Sequence, residues 1–286
     1  MPTPAPETAP QSGRAASGPV TPPPPPPPPP GPPETDPIRR RTATILADFW
    51  PSEADLALRS APDWAPDTPG AYCPRCGVSV GPGVVNAARP DPAAGCPRCR
   101  RRDLRTIPWD RVIRLGPYAD PLGAWVRDAK YRRRWGHAAV LGRGLGLTAR
   151  RLPGLSPPAD AVVVPVPLHW RRRWARGFNP SALLAEGFAR AAGPRVVDAL
   201  VRRRPARPQA RLGRAARQRN LRGAFAARRV DLTGRTAFLV DDVMTTGATL
   251  GVCTRLLKRR GAAKVVCVVA AVTDPPDAAP HPRPPT

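Results

Sequence analysis

The chain has 286 residues, with 46 Lys and Arg against 21 Asp and Glu, a net charge of +25, and 44 prolines. No apolar run reaches about 18 residues, which excludes a membrane-spanning helix, and the N-terminus lacks the basic and apolar regions of a signal peptide. A cytoplasmic, reducing compartment is therefore expected, where cysteines hold metals more often than disulfides, and so basic a chain attracts polyanions in a salt-dependent way.

Residues 1–37 read as a disordered tail rich in Pro, Ala, Thr and Ser, with nine consecutive prolines at Pro22 to Pro30. Such a composition buries too little apolar surface to offset its ordering entropy. Residues 38–72 form a lead-in. A helix is expected from Ile38 to Trp50 on the spacing of Thr42, Ile45, Leu46 and Phe49, ended by Pro51. Pro51 to Ala71 is loop-like, with Trp64 as its anchor.

Residues 73–108 contain Cys73-Pro-Arg-Cys76 and Cys96-Pro-Arg-Cys99, separated by nineteen residues. Each Cys-x-x-Cys puts two thiolates on one turn, and four of them complete a tetrahedral zinc shell with no open position. The expected ion is structural Zn²⁺, at about one per chain, stabilising a segment too short and too poor in apolar residues for its own core. Disulfides or a redox pair are the alternatives. Cys253 and Cys267 fall on apolar faces and are expected in the core.

Trp109 to Leu152 is predicted helical. Asp120 and Pro121 suit the N-cap and first position of a helix carrying Leu122, Trp125, Val126 and Ala129. Its basic end, Lys130 to Arg134, reads as a solvated terminus. Leu141, Leu145, Thr148 and Leu152 mark a second amphipathic helix.

Ala161 to Pro167 reads as a buried strand, followed by Leu168 and His169; the histidine reads as structural. Arg171, Arg172, Arg173 and Arg176 crowd the next loop, where a second anion is expected. Asn179 and Pro180 then begin a helix that ends near Gly193. From Leu200 to Val230 there are eleven arginines and no acid, a pattern of solvated, partly ordered loop.

The stretch Phe238 to Leu250, FLVDDVMTTGATL, organises the C-terminal third. Ala237 to Val240 suits a strand buried on both faces, with Asp241 and Asp242 where it would end. Thr245 to Thr249 forms a loop, and Leu250, Cys253 and Leu257 mark a helix up to Gly261. Lys264 to Thr273 is a second buried strand. Helix-start amides, threonine hydroxyls and Gly247 suit a phosphate, while paired carboxylates suit sugar hydroxyls or a metal. The loop is not of the Walker A type. The competing reading is an acid pair that merely caps the following helix.

This stretch resembles the phosphoribosyl-diphosphate (PRPP) motif of type I phosphoribosyltransferases. The resemblance implies that Asp241 and Asp242 hold the ribose 2′ and 3′ hydroxyls, and that Thr245, Thr246, Gly247, Ala248 and Thr249 wrap the 5′-phosphate. The wider order of motifs is cysteine turns, VPVPLHWRRRWARGFNPSALLA, RRRPARPQARLGRAARQRNLRGAF and DDVMTTGAT. It resembles the ComF family from roughly Ile38 to Thr273. That resemblance implies an α/β fold: a parallel-sheet phosphoribosyltransferase-like domain over 109–275, a small N-terminal zinc module and a short disordered tail over 276–286. Pro167, Leu168 and His169 match the pyrophosphate loop. Arg202, Arg204, Gln209, Arg217 and Asn220 match a loop folding over the site, where Ala206 and Ala216 depart from the family's usual Thr and acid. Implied partners are PRPP with Mg²⁺, single-stranded DNA and a competence helicase. Phosphoribosyl transfer to an unnamed acceptor is the implied activity, with Asp241 and Asp242 as catalytic residues. A PRPP or nucleotide sensor, or a single-stranded DNA handler, is the alternative.

Overall fold

A computed structural model describes Met1, Ala61 and residues 64–85, 95–101, 106–131, 135–152, 154–169, 177–204, 221 and 223–279. The proline-rich tail beyond Met1, the helix expected from Ile38 to Trp50 and the arginines of 171–176 lie outside the described residues.

In chain order the elements are α1 (Pro97–Arg101), β1 (Arg111–Pro117), α2 (Leu122–Tyr131), α3 (Trp135–Arg151), β2 (Val162–Pro165), α4 (Pro180–Ala192), β3 (Arg195–Val196), β4 (Leu200–Arg202), β5 (Phe225–Ala227), β6 (Thr236–Met244), α5 (Ala248–Arg259) and β7 (Lys264–Val272). Five strands pair in the order β1-β7-β6-β2-β3, and every pair is parallel. β4 and β5 form a separate antiparallel ladder, Leu200 to Arg202 against Ala227 to Phe225. The architecture is the expected α/β one, with a parallel sheet as its centre.

Both faces of the sheet are covered, so its central strands are apolar on both sides, as parallel strands require. On one face Ile113, Leu115, Val163, Phe238, Val240 and Val268 pack under α2, α3 and α4. On the other, Val164, Leu239, Cys267 and Val269 pack under Leu250, Cys253 and Leu257 of α5, with Leu200 and Phe225 alongside. Cys253 and Cys267 are fully buried, as core residues should be. Helices α3 and α4 approach very closely: a Cβ at Gly142 would lie 2.2 Å from the Leu184 carbonyl oxygen. Trp64 anchors the lead-in by an edge-on contact with Trp125, ring centroids 4.9 Å apart.

Three local expectations need correction. Arg111–Pro117, placed in a helical stretch, is an edge strand paired with β7 from Arg111 opposite Val266 to Pro117 opposite Val272. Its two arginines hide the apolar pattern, because Arg114 is fully buried rather than solvated. Its guanidinium donates to Asp67 Oδ2 at 2.7 Å, to the Gly77 carbonyl at 2.7 Å and to Ser79 Oγ at 2.7 Å. Next, α2 begins at Leu122, one residue later than an Asp120 cap would put it. The Asp120 carboxylate instead accepts from Arg127 at 2.8 Å. Finally, β6 does not stop at Val240; the register with β7 runs on through Asp241 opposite Val269 to Met244 opposite Val272, so both acids lie within the strand.

The topology marks one place for a ligand. From β6 the chain passes through α5 to β7, and from β2 it passes through α4 to β3. These connections leave adjacent strands in opposite directions and lie on opposite faces. The carboxyl ends of β2 and β6 therefore open a crevice, the usual ligand position in open α/β sheets.

Candidate ribose-phosphate crevice and cysteine centre

Asp241 and Asp242 lie in the carboxyl-terminal half of β6, two residues short of its end at Met244, both half-buried. The Asp241 carboxylate accepts from Ser181 Oγ at 2.9 Å and from the Asp242 amide at 3.0 Å. Burial, reinforced by the neighbouring Asp242 charge, pushes the Asp241 carboxyl up to about 7. The Ser181 hydroxyl, the Asp242 amide and Lys130 oppose that rise. Asp242 is paired with Lys130, whose Nζ lies 3.0 Å from Oδ1. Lys130 and Asp242 also line a cavity with Val126, Leu141, Pro180 and Leu184. The reading of Lys130 as part of a solvated helix end is thus wrong: its side chain is only 18% exposed.

Ser181 reaches Asp241 because Asn179 caps α4. The Asn179 side chain accepts from the Ser181 amide at 3.3 Å, Pro180 takes the first helical position, and Gly193 ends the helix. Asn179 Nδ2 also donates to the Val166 carbonyl at 3.1 Å, tying the helix start to the end of β2. The Val166 amide in turn donates to the Val240 carbonyl at 2.8 Å. Pro167 and Leu168 follow, half-buried, and His169 is 3% exposed. The segment matched to the pyrophosphate loop therefore leaves the strand beside the acids.

The hydroxyl loop lies at the same end of the sheet. Thr245 is exposed, while Thr246, Gly247, Ala248 and Thr249 are half-buried. Gly247 is the N-cap of α5, with φ 72° and ψ 7°, left-handed backbone that glycine adopts without penalty. It has no side chain to accept from the first-turn amides; Thr246 Oγ1 accepts from the Ala248 amide at 3.4 Å. Open helix-start amides with the positive end of the helix dipole favour an anion.

Of the residues matched to the covering loop, Gln209, Arg217 and Asn220 lie outside the described residues. Arg202 is the last residue of β4 and Arg204 lies two positions beyond it, and the Arg202 guanidinium stacks 5.1 Å from the Phe225 ring centre. The buried Cys253 thiol, raised chiefly by burial, feels both the Asp241 and the Arg202 charges.

Cys73, Cys76, Cys96 and Cys99 converge, with their sulfurs all within 4.8 Å of one another. Cys73–Cys99, Cys76–Cys96 and Cys96–Cys99 are each separated by 3.8 Å. A tetrahedron with zinc–sulfur bonds of about 2.3 Å has edges of about 3.8 Å. Donor type, number and spacing therefore fit one Zn²⁺, and all four cysteines are free of disulfides.

Sequence reasoning missed Lys130, Ser181 and Trp109. Lys130 sits one turn after Val126 on the buried face of α2, and that phase was its only signal. Ser181 directly follows the readable Asn179-Pro180 cap. Trp109, adjoining the cysteine segment, is 6% exposed and contacts Gly247.

The family model described as "Phosphoribosyl transferase domain" matches residues 177–284. The DNA utilization protein YhgH of Salmonella typhi is 37% identical over 199 residues, covering 68% of this chain and 81% of that protein. The protein of that name from Escherichia coli strain K12 is 36% identical over 202 residues, covering 69% and 82%. Competence protein F of Haemophilus influenzae is 30% identical over 179 residues, covering 60% and 76%. A solved structure of the AQ2163 protein from Aquifex aeolicus covers 58% of this chain and 89% of its own at 15% identity, with a TM-score of 0.36, too distant to carry an argument. The shared sequence, reaching over most of the length of its relatives and including a phosphoribosyl transferase domain, places this chain in the ComF family.

Proposed function

We propose that the chain binds a 5-phosphorylated ribose of the PRPP type, with Mg²⁺, in the crevice at the carboxyl ends of β2 and β6, and transfers the phosphoribosyl group to a nucleophile. One observation carries the reading: two adjacent acids near the end of β6 are followed, five residues after Asp242, by a left-handed glycine that opens a helix. Thr245 to Thr249 then hold the 5′-phosphate, and Asp241 and Asp242 accept from the ribose hydroxyls. To do so Asp241 exchanges the Ser181 hydroxyl for a sugar hydroxyl, and Asp242 shares its charge with Lys130. Pro167, Leu168 and His169 lie where a diphosphate on C1 extends. Arg202 and Arg204 match the start of the loop that folds over the site in the family, and arginine charges there are of the kind that stabilise a leaving diphosphate.

In the reaction the C1–O bond breaks and the diphosphate departs with its electron pair. The nucleophile, a ring or amine nitrogen, forms the new bond to C1 with its lone pair and releases its N–H proton to water. Carboxylate oxygens such as those of Asp241 and Asp242 are the hard donors that suit Mg²⁺, which supplies charge neutralisation to the diphosphate when bound. Four cysteines fill a Zn²⁺ shell, so that ion has a structural role.

The names of the relatives, DNA utilization protein and competence protein, extend the proposal to a role in handling incoming DNA. Among the described residues no helix is long and apolar enough to cross a membrane. A second reading is a PRPP sensor without turnover, which would bind through the same acids and loop. Release of labelled pyrophosphate from PRPP, measured against a panel of bases and amines, tests transfer. Acceptor-dependent release supports it; tight Mg²⁺-dependent binding with no release selects the sensor, and no binding removes both.

A further inference from the structure

Trp109 joins the cysteine centre to the hydroxyl loop. The indole of Trp109 donates from Nε1 to the Arg75 carbonyl, inside the first cysteine turn, at 2.8 Å. Arg75 returns the grip: its guanidinium donates to the carbonyls of Ile107 at 2.9 Å and Asp110 at 3.1 Å, on either side of that tryptophan. The far edge of the same indole lies on the helix cap. A Cβ at Gly247 would come 2.6 Å from Trp109 Cη2, and Gly251, one turn on, faces the same ring. The cysteine turn also bears on the acids' strand, since a Cβ at Gly77 would lie 2.7 Å from Met244 Cε. The Pro74 carbonyl, in that turn, accepts from the Val112 amide of β1 at 2.7 Å.

This is a short mechanical path. A metal held by Cys73 and Cys76 fixes the turn that presents the Arg75 carbonyl, the carbonyl fixes the indole, and the indole is a wall behind Gly247. Remove the metal, and clustered thiolates repel, the turn loosens and the wall loses its anchor. Two elements linked through one packed side chain share a coupling free energy, and that coupling is reciprocal.

We propose that Trp109 is a positioning residue that couples the four-cysteine centre to the Thr245–Thr249 loop, so that metal loading sets the order of that loop and its affinity for a phosphate group. The second half rests on the ribose-phosphate reading above; the first half does not. The anion loop is then rigid only in metal-loaded protein, and a chain that has lost its metal keeps its sheet while losing its grip on phosphate.

Hydrogen exchange of the full chain, without ligand, tests the coupling. Chelating the metal speeds exchange over 245–251 by about tenfold, while exchange over 264–272 in β7 stays within about twofold. Trp109→Phe removes the indole N–H that the Arg75 carbonyl accepts and withdraws the outer ring edge that lies on Gly247, so it cuts the path at both contacts. In metal-loaded Trp109→Phe the same loop exchanges about fivefold faster, the size of one lost hydrogen bond, with zinc content unchanged. Binding of Mg²⁺-PRPP weakens by the same factor. Loop exchange identical to wild type in folded, zinc-loaded Trp109→Phe overturns the coupling, and decides the matter alone if chelation unfolds the chain. Faster loop exchange in the variant with no Mg²⁺-PRPP binding by wild type upholds the coupling and removes the ribose-phosphate reading.

Discussion

Lys130 Nζ lies 3.0 Å from Asp242 Oδ1, with the two side chains 18% and 20% exposed. A helix on one face of the sheet thus supplies the counter-charge to an acid at the ligand end of the central strand. Asp242 is too sheltered for water to neutralise cheaply, so taking the lysine away leaves a partly desolvated carboxylate. Lys130→Met is expected to lower stability by about 2 kcal/mol, between the values for exposed and fully buried pairs. Asp242→Asn in the same chain should recover most of that loss. Urea denaturation of the four members of this cycle checks it, and additive effects would show that the two side chains do not interact.

Asp241 sets a pH dependence with a definite sign. Its carboxyl is pushed up to about 7 by burial and by Asp242, from a usual value of 3.8. The protonated form is favoured in the folded state, so its stabilising contribution is complete below pH 4 and is lost as pH rises towards 7. Stability measured from pH 4 to pH 8 should therefore fall less steeply in Asp241→Asn than in wild type. Ligand binding should run the other way. A carboxylate accepts two sugar hydroxyls better than a carboxylic acid does, so affinity for Mg²⁺-PRPP should rise through pH 7 more steeply in wild type than in the variant, where only the ligand's phosphates titrate. Urea denaturation measures the stability slope and titration calorimetry at matched ionic strength the binding slope.

The buried pair Arg114–Asp67, 2.7 Å apart and almost unexposed on both sides, ties β1 to the segment that precedes the cysteine turns. The Arg114 guanidinium also stacks 5.0 Å from the Tyr72 ring centre, next to Cys73. Arg114→Met takes from the buried Asp67 carboxylate the guanidinium that faces it at 2.7 Å, a loss of about 3–5 kcal/mol. The double variant with Asp67→Asn should be more stable than Arg114→Met alone. Thermal unfolding of the two variants separates this from a simple packing defect, which the second substitution would not relieve.

Much of the site was legible because its residues are local in sequence. The acids, the hydroxyl loop and Gly247 fall within nine consecutive positions, and each Cys-x-x-Cys pair is a single turn whose spacing already implies its partner. The Asn179-Pro180 cap is equally local and stands where its residue types put it. What stayed hidden depends on residues far apart in the chain. Arg114 looks like a solvated residue until Asp67, Ser79 and the Gly77 carbonyl gather round it, so β1 went unseen. Lys130 belonged by composition to a basic helix end, and only the packing of α2 turns it onto Asp242. The strand runs past the acids because β7 continues to pair with it, a fact no property of Asp241 or Asp242 reveals.

The most direct test of the ribose-phosphate reading is the affinity of Mg²⁺-PRPP for wild type and for the chain carrying Asp241→Asn with Asp242→Asn, both shown by circular dichroism to be folded. Binding in wild type and a loss of at least about a hundredfold in the variant are expected, the effect of removing two charge-assisted hydrogen-bonding groups. Equal affinity in the two proteins would contradict the assignment of the crevice.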